Sequence, residues 1–235
     1  LAQKITGTLV QFERLGDRYA VLQIKPNSNS WKHNPGQYTE IGFSEGEKPL
    51  NKIYSIASAV RDDGVLDFCI QLNDVDLLEA SKTWVLAKTE FKLAPAAGNF
   101  HVPPYQRPVV LLAGGSGITP LKAILEDRVY NGGKDLAQTV LLFGCSDDEE
   151  IPFHEELRRL AASRPAQVIV RFFAEKKIAK DDKRAEAGRP MAVLDTYVSP
   201  DSDYLMCGPP PFLNATRAHL IQAGIPAEQI HQDRY

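Results

Sequence analysis

Two glycine-bearing segments hold the residues whose types and spacing best suit chemistry. In VVLLAGGSGITP (109–120) an apolar run enters Gly114, Gly115 and Gly117, and Ile118, Thr119 and Pro120 then open a segment of helical periodicity. Glycines let a backbone turn sharply and approach a bound group without side-chain obstruction. The helix start that follows presents unpaired N–H groups and the positive end of its dipole, which together suit a pyrophosphate. Thr119 is expected as the N-cap, with Pro120 in the first turn. The spacing is not G-x-G-x-x-G, so the fingerprint of ordinary dinucleotide-binding folds does not apply. In the second segment, YLMCGPPPF (204–212), an apolar run ends in Cys207 and Gly208, and Pro209 leads into another helical pattern. Cys207 by itself reads as a small apolar residue, because no histidine or basic residue adjoins it in sequence to lower its pKa.

The rest of the chain must supply elements that position these tips. Residues 1–103 carry six short alternating or β-branched runs, KITGTLVQF, YAVLQIKP, GQYTEIGF, KIYSIASA, VLDFCIQL and TEFKLAP, divided by Gly-, Pro- and Asp-rich turns. With little helix between them, they predict a six-stranded antiparallel β-barrel. Over residues 104–235 the pattern changes to compact apolar strands, each followed by an amphipathic stretch: VVLLAGG before TPLKAILEDRVY, VLLFGC before FHEELRRLAA, and DYLMCG before PPFLNATRAHLIQAG. Alternation of this kind predicts an α/β domain on a parallel sheet. The expected architecture is β + α/β, with the boundary in the Pro-rich HVPPYQRP (101–108). Parallel sheets bind ligands beyond the carboxyl ends of their strands, so both glycine tips are expected to face one crevice.

Composition excludes several functions. A net charge of −3 gives no basic excess for nucleic acid, so any phosphate binding must be local. Cys69, Cys145 and Cys207 form no C-x-x-C pair, which argues against a disulfide framework, a zinc site or an iron–sulfur cluster. Reduced thiols suit a cytosol-like compartment, or an organelle if a targeting segment lies upstream. No run approaches the roughly 18 apolar residues of a membrane span. His33, His101, His154, His219 and His231 are scattered without metal-ligand spacing and read as surface or packing residues. Trp31 reads as a barrel-edge residue and Trp84 as a core one.

Taken in order, GQY (36–38), KIYSIAS (52–58), PAAGNF (95–100), GGSGITP (114–120) and CGPPP (207–211) resemble the landmarks of the ferredoxin–NADP reductase superfamily, at similar intervals and over nearly the whole chain. The resemblance implies a flavin-binding barrel followed by an NAD(P)-binding domain, with FAD, or FMN, as cofactor and NADPH or NADH as hydride donor. It implies that Lys52, Ile53, Tyr54 and Ser55 occupy the flavin-binding strand, Tyr54 against the ring and Ser55 near its reactive nitrogen. Gly114, Gly115, Gly117, Ile118, Thr119 and Pro120, with Cys207, Gly208 and Pro209, would hold the pyridine nucleotide. Thr119 and Cys207 would stand closest to the nicotinamide, and Tyr235 would cover the other flavin face. Without iron–sulfur cysteines, electrons would leave to a separate carrier such as ferredoxin, or to a small molecule.

Three departures accompany the match. Lys52 stands where the family has an arginine, keeping the charge and losing bidentate geometry. The stretch NDVDLLEASKTWVLAKT (73–89) lacks the glycine that usually lets backbone amides hold the flavin pyrophosphate; Asp74, Asp76 and Glu79 oppose an anion there, and Lys82 and a Ser81 cap offset them. After VIVRFFAE, Lys176, Lys177, Lys180, Lys183 and Arg184 favour a 2′-phosphate, whereas Glu175, Asp181, Asp182, Glu186 and SDDEE (146–150) favour a ribose diol, so the choice of coenzyme stays open. Two alternatives follow from these departures: a reductase that uses free flavin as a passing substrate, and a non-catalytic electron-transfer or regulatory subunit of the same fold.

Overall fold

The computed structural model describes residues 4–43, 50–72, 75–177 and 184–233. All six N-terminal runs form strands: β1 (Ile5–Leu15), β2 (Tyr19–Pro26), β3 (Tyr38–Gly42), β4 (Asn51–Ser55), β5 (Leu66–Gln71) and β6 (Glu90–Leu93). They pair antiparallel in the order β4-β3-β6-β1-β2-β5. The chain just past β4 then reaches the opposite edge, where Ala57 N–H donates to Asp67 O at 2.8 Å. Leu9, Leu22, Ile24, Ile41, Phe68 and Phe91 fill the interior. A short helix, α1 (Val75–Ser81), lies between β5 and β6 and sends Leu77 into that core. Trp84 joins the same core, stacked on Phe43 at 5.6 Å and edge-on to Phe91 at 5.2 Å, as its sequence reading expected.

The second sheet is parallel throughout: β7 (Val109–Gly114), β8 (Thr139–Asp147), β9 (Val168–Lys177), β10 (Glu186–Ala187), β11 (Asp203–Cys207) and β12 (Ile230–Asp233), in the order β10-β9-β8-β7-β11-β12. Central β7 and β11 are buried along their whole length, which is why they read as unbroken apolar runs. Helices α2 (Ile118–Asn131) and α3 (His154–Ser163) pack on one face in a core that also takes in Tyr19, Val21, Ala57 and Cys69 of the barrel. Helix α4 (Pro210–Gln222) and the 190–197 turn cover the other. Helix α2 is therefore wedged between sheet and barrel, and even its Lys122, Glu126 and Arg128 are 0% exposed.

Arg128 fixes the segment that joins the sheets. Its guanidinium donates to the carbonyls of Pro103, Pro104, Tyr105 and Arg107, and its Nε donates to Thr139 Oγ1. A rigid fork of donors suits this ring of carbonyls. Burial pushes its pKa down to about 10. Among the described residues no helix is long and apolar enough to cross a membrane.

Candidate active site at the strand tips

The tips of β7 and β11 are neighbours at the place where the strand order reverses, since β8 lies on one side of β7 and β11 on the other. In open α/β sheets this is where a crevice forms. A Cβ on Gly117 would stand 2.1 Å from Cys207 O, and one on Gly208 would stand 3.1 Å from Gly114 Cα. A Cβ on Gly114 would in turn press on Pro209 Cδ at 3.1 Å. These glycines are needed first so that the two tips can touch, which is a demand of packing that precedes any ligand. Gly115, at φ 56°, makes the turn and would bring a Cβ within 3.2 Å of Tyr19 Oη on the barrel.

Thr119 corrects an expectation. Helix α2 begins at Ile118 with Gly117 at its N-cap and no side-chain cap, because a 3-10 turn over Gly115–Gly117 precedes it and Ile118 N–H bonds back into that turn. Thr119 lies inside the first turn, 4% exposed, with its hydroxyl donating to Ser116 O at 2.8 Å. Pro120 follows it in that turn, and Ile118 is buried. Cys207 is fully buried at the end of β11.

The barrel brings its own wall to this crevice. Gln71 Nε2 donates to Ser116 Oγ at 2.9 Å, and Ala57, two residues beyond Ser55, shares a core with Ile118 and Cys207. Ser55, half-buried, ends β4 opposite Tyr38. Tyr54 leans on the barrel core, edge-on to Phe43 at 5.8 Å; Lys52 is half-buried on the same strand and Ile53 is exposed. Gly36 (φ 84°) and Gly98 (φ 98°) let the chain close around Tyr38 and Phe100, with a Cβ on Gly98 falling 2.9 Å from the Tyr38 ring. Between them and the end of β12 lies a cavity of about 350 Å³, lined by Tyr38, Asn99, Phe100, His231, Gln232 and Asp233 among others. Tyr38 and Phe100 share this lining with amide, imidazole and carboxylate groups. The sequence reading passed over Tyr38 and Asp233 as site residues. The GQY landmark was a signal for the first, whereas only the pairing of Asp233 with Cys207 in register marks the second.

Other expected residues lie elsewhere. Ser81 ends α1 instead of capping a helix start, and its hydroxyl donates to Leu78 O at 2.7 Å. Asp76 occupies the first turn of α1, an arrangement that disfavours an anion. Lys176 is exposed near the end of β9, where neighbouring Glu175 pairs with Arg189 at 2.7 Å. Tyr235, Asp74 and Lys180–Lys183 lie outside the described residues. Cys69 and Cys145 are buried thiols, each pushed up to about 12 by that burial, which suits packing and not nucleophilic chemistry.

Residues 111–218 match the oxidoreductase NAD-binding domain family. The ferredoxin reductase component of a 3-ketosteroid-9-alpha-monooxygenase from Mycobacterium tuberculosis is 30% identical over 209 residues, 85% of this chain and 54% of that protein. The toluate 1,2-dioxygenase electron transfer component of Pseudomonas putida is 27% identical over 231 residues, 94% of this chain and 65% of that protein. Thus the chain spans about half the length of the first of these relatives and about two thirds of the second. A ferredoxin NADP+ reductase from Neisseria gonorrhoeae, solved with FAD and NADP, aligns over 100% of this chain and 99% of its own with a TM-score of 0.80 at 20% identity. This chain shares the fold of that reductase.

Behind the crevice, the chain carries a buried ion network that joins its two halves. Lys122 Nζ, on α2, lies 2.9 Å from Asp67 of β5, 2.9 Å from Glu156 of α3 and 3.5 Å from Glu126. Arg61 adds a fork onto Asp67, with both contacts at 2.9 Å, and Glu126 accepts Ala59 N–H at 2.8 Å. Burial would raise the Asp67 pKa, yet Lys122 and Arg61 outweigh it and hold the carboxyl below its ordinary value. For Glu126 burial wins and the pKa rises. No local pattern marked these residues, because α2 reads as amphipathic until the barrel covers its charged face.

Proposed function

We propose that this chain is an NAD(P)H-dependent flavoprotein reductase that takes hydride from the coenzyme onto FAD and passes electrons to a separate acceptor, a ferredoxin-like protein or a small molecule. The carrying observation is the meeting of the β7 and β11 tips at the strand-order reversal, with Tyr19 and Gln71 of the barrel against the glycine turn. On this reading residues 1–103 hold the flavin and residues 104–235 the coenzyme. A bound flavin would supply the redox chemistry, accepting a hydride and releasing electrons. The chain's own task is to position and to exclude water. Ser55 would donate to the flavin ring, with Tyr54, Tyr38 and Tyr235 bounding it and Lys52 facing its phosphates. Gly114, Gly115, Gly117, Gly208 and Pro209 would leave the backbone open to the coenzyme. Thr119 spends its proton on Ser116 O, so its oxygen would accept from a nicotinamide amide. Lys176 would lie toward the coenzyme's ribose end.

One observation favours a second reading. The acidic first turn of α1 and the place of Ser81 at its far end leave that helix poorly suited to a pyrophosphate, as a reductase of free flavin would tolerate. An absorption spectrum of the purified chain, followed by anaerobic NADH and NADPH titrations, decides between them. A retained yellow chromophore bleached by either coenzyme is the expected result. A colourless protein that oxidises NAD(P)H only with added riboflavin or FMN selects the second reading, and a retained flavin that neither coenzyme reduces overturns both.

A further inference from the structure

Two of the five histidines scattered in sequence meet in space. His101, on the segment after the barrel, stacks on His231 of β12 with ring centroids 3.9 Å apart and planes at 23°. Asp203, the first residue of β11 and 5% exposed, completes a trio whose ligating atoms all lie within 4.8 Å of one another. One Asp203 oxygen is engaged by Arg107 Nε at 2.8 Å. The other is 3.9 Å from His101 Nε2, beyond hydrogen-bond range and near the span of two ligands across a shared ion.

A second acidic trio provides the contrast. Asp67, Glu126 and Glu156 also converge, but Lys122 Nζ already stands among them as their cation. At His101, Asp203 and His231 no lysine ammonium stands among the ligating atoms in the described residues, Arg107 takes one Asp203 oxygen, and the remaining donors are two imidazole nitrogens and a carboxylate oxygen. That set matches borderline divalent metals, with Arg107 orienting the carboxylate as an outer partner.

We propose that His101, Asp203 and His231 bind one divalent cation of the zinc class, with water completing the shell, and that the ion ties the joining segment to β11 and β12. Zinc–nitrogen bonds of about 2.0–2.1 Å need the stacked rings to tilt until their nitrogens converge on one ion. The His101 side chain is 44% exposed and stands on a segment outside any helix or strand, so its ring has room to turn. Because His101 and His231 also line the cavity beside Asp233, an ion here would stand at the margin of the proposed flavin site without depending on it.

The test is Zn2+ titration of the purified 235-residue chain against a chromogenic chelator, with thermal unfolding in parallel. One Zn2+ per chain and a rise in Tm are expected for the wild type. His101→Ala and His231→Ala are each expected to weaken binding more than ~10-fold, and Arg107→Ala by ~10-fold as an outer partner. His219→Ala, which removes an exposed His219–Asp195 pair instead, is expected to leave binding unchanged. Should Asp203→Asn unfold by releasing Arg107, the two histidine variants still carry the test. Failure of the wild type to take up Zn2+ stoichiometrically, or wild-type affinity in both histidine variants, overturns the proposal.

Discussion

Two of the places where the barrel and the α/β half meet are built on opposite terms. At the strand tips the contacts from the barrel are few: Tyr19 lies over Gly115, Gln71 bonds to Ser116, and Arg18 reaches Glu150 just past β8. Behind them, between β5 and α2, the contact is made by buried charge, with Lys122 and Arg61 set among Asp67, Glu126 and Glu156. Backbone packing, Gly117 against Cys207, sets the shape of the crevice itself. Buried ions, each dependent on partners from the other half, fix the angle at which the halves meet. The difference separates a surface that receives ligands from one that holds the halves in register.

The contrast can be broken from the charged side first. Lys122→Met leaves buried carboxylates without their cation and is expected to cost about 3–5 kcal/mol, read from urea unfolding. Adding Asp67→Leu to that variant is expected to recover part of the loss. A neutral effect of Lys122→Met would mean that apolar packing alone sets the interface.

Gly117→Ala attacks the tips instead. Its Cβ would meet Cys207 O at 2.1 Å, so the tips must part, and a shift near 1 Å is expected to slow coenzyme oxidation by ~10²-fold. The flavin spectrum should survive, since the barrel wall is untouched. Loss of the flavin together with the rate would place the damage in folding.

The pH response sharpens the same comparison. Asp67 has a depressed folded pKa, so its stabilisation is present above its ordinary value of 3.8 and is lost as pH falls through the folded value. Glu126, raised above 4.5, acts in the opposite sense: its contribution is present at low pH and is lost as pH rises through that range. The urea midpoint is expected to fall below about pH 4, and Asp67→Asn should flatten that acid limb. An unchanged acid limb in Asp67→Asn would assign acid sensitivity to other carboxylates. The smallest effect is expected for Gln71→Ala, which removes the bond to Ser116 at a cost of about 1 kcal/mol in unfolding free energy.

Much of this architecture was readable in advance because its signals are local. The β-rich runs YAVLQIKP and VLDFCIQL specify strands, although only the fold shows that both of their faces are covered, and the apolar VVLLAGG and DYLMCG runs specify buried parallel ones. Where the reading failed, the deciding partner was distant. Thr119 looks like a cap until the 3-10 turn before it moves the helix start to Ile118. Ser81 looks like an anchor until α1 is seen to end there. His101 and His231 are 130 positions apart by number and 3.9 Å apart in space.

The sequence by itself determined the element order, the change from antiparallel to parallel pairing, and the two glycine tips, because each depends on periodicity and turn chemistry within a dozen residues. Only the tertiary structure decided that Gly117 must be glycine to clear the Cys207 carbonyl, that Lys122 is buried among three carboxylates, and that two histidines and an aspartate converge. Those facts depend on which surfaces are removed from water together. That choice belongs to the packed whole, since a charge or a missing Cβ acquires its cost only when another segment closes over it.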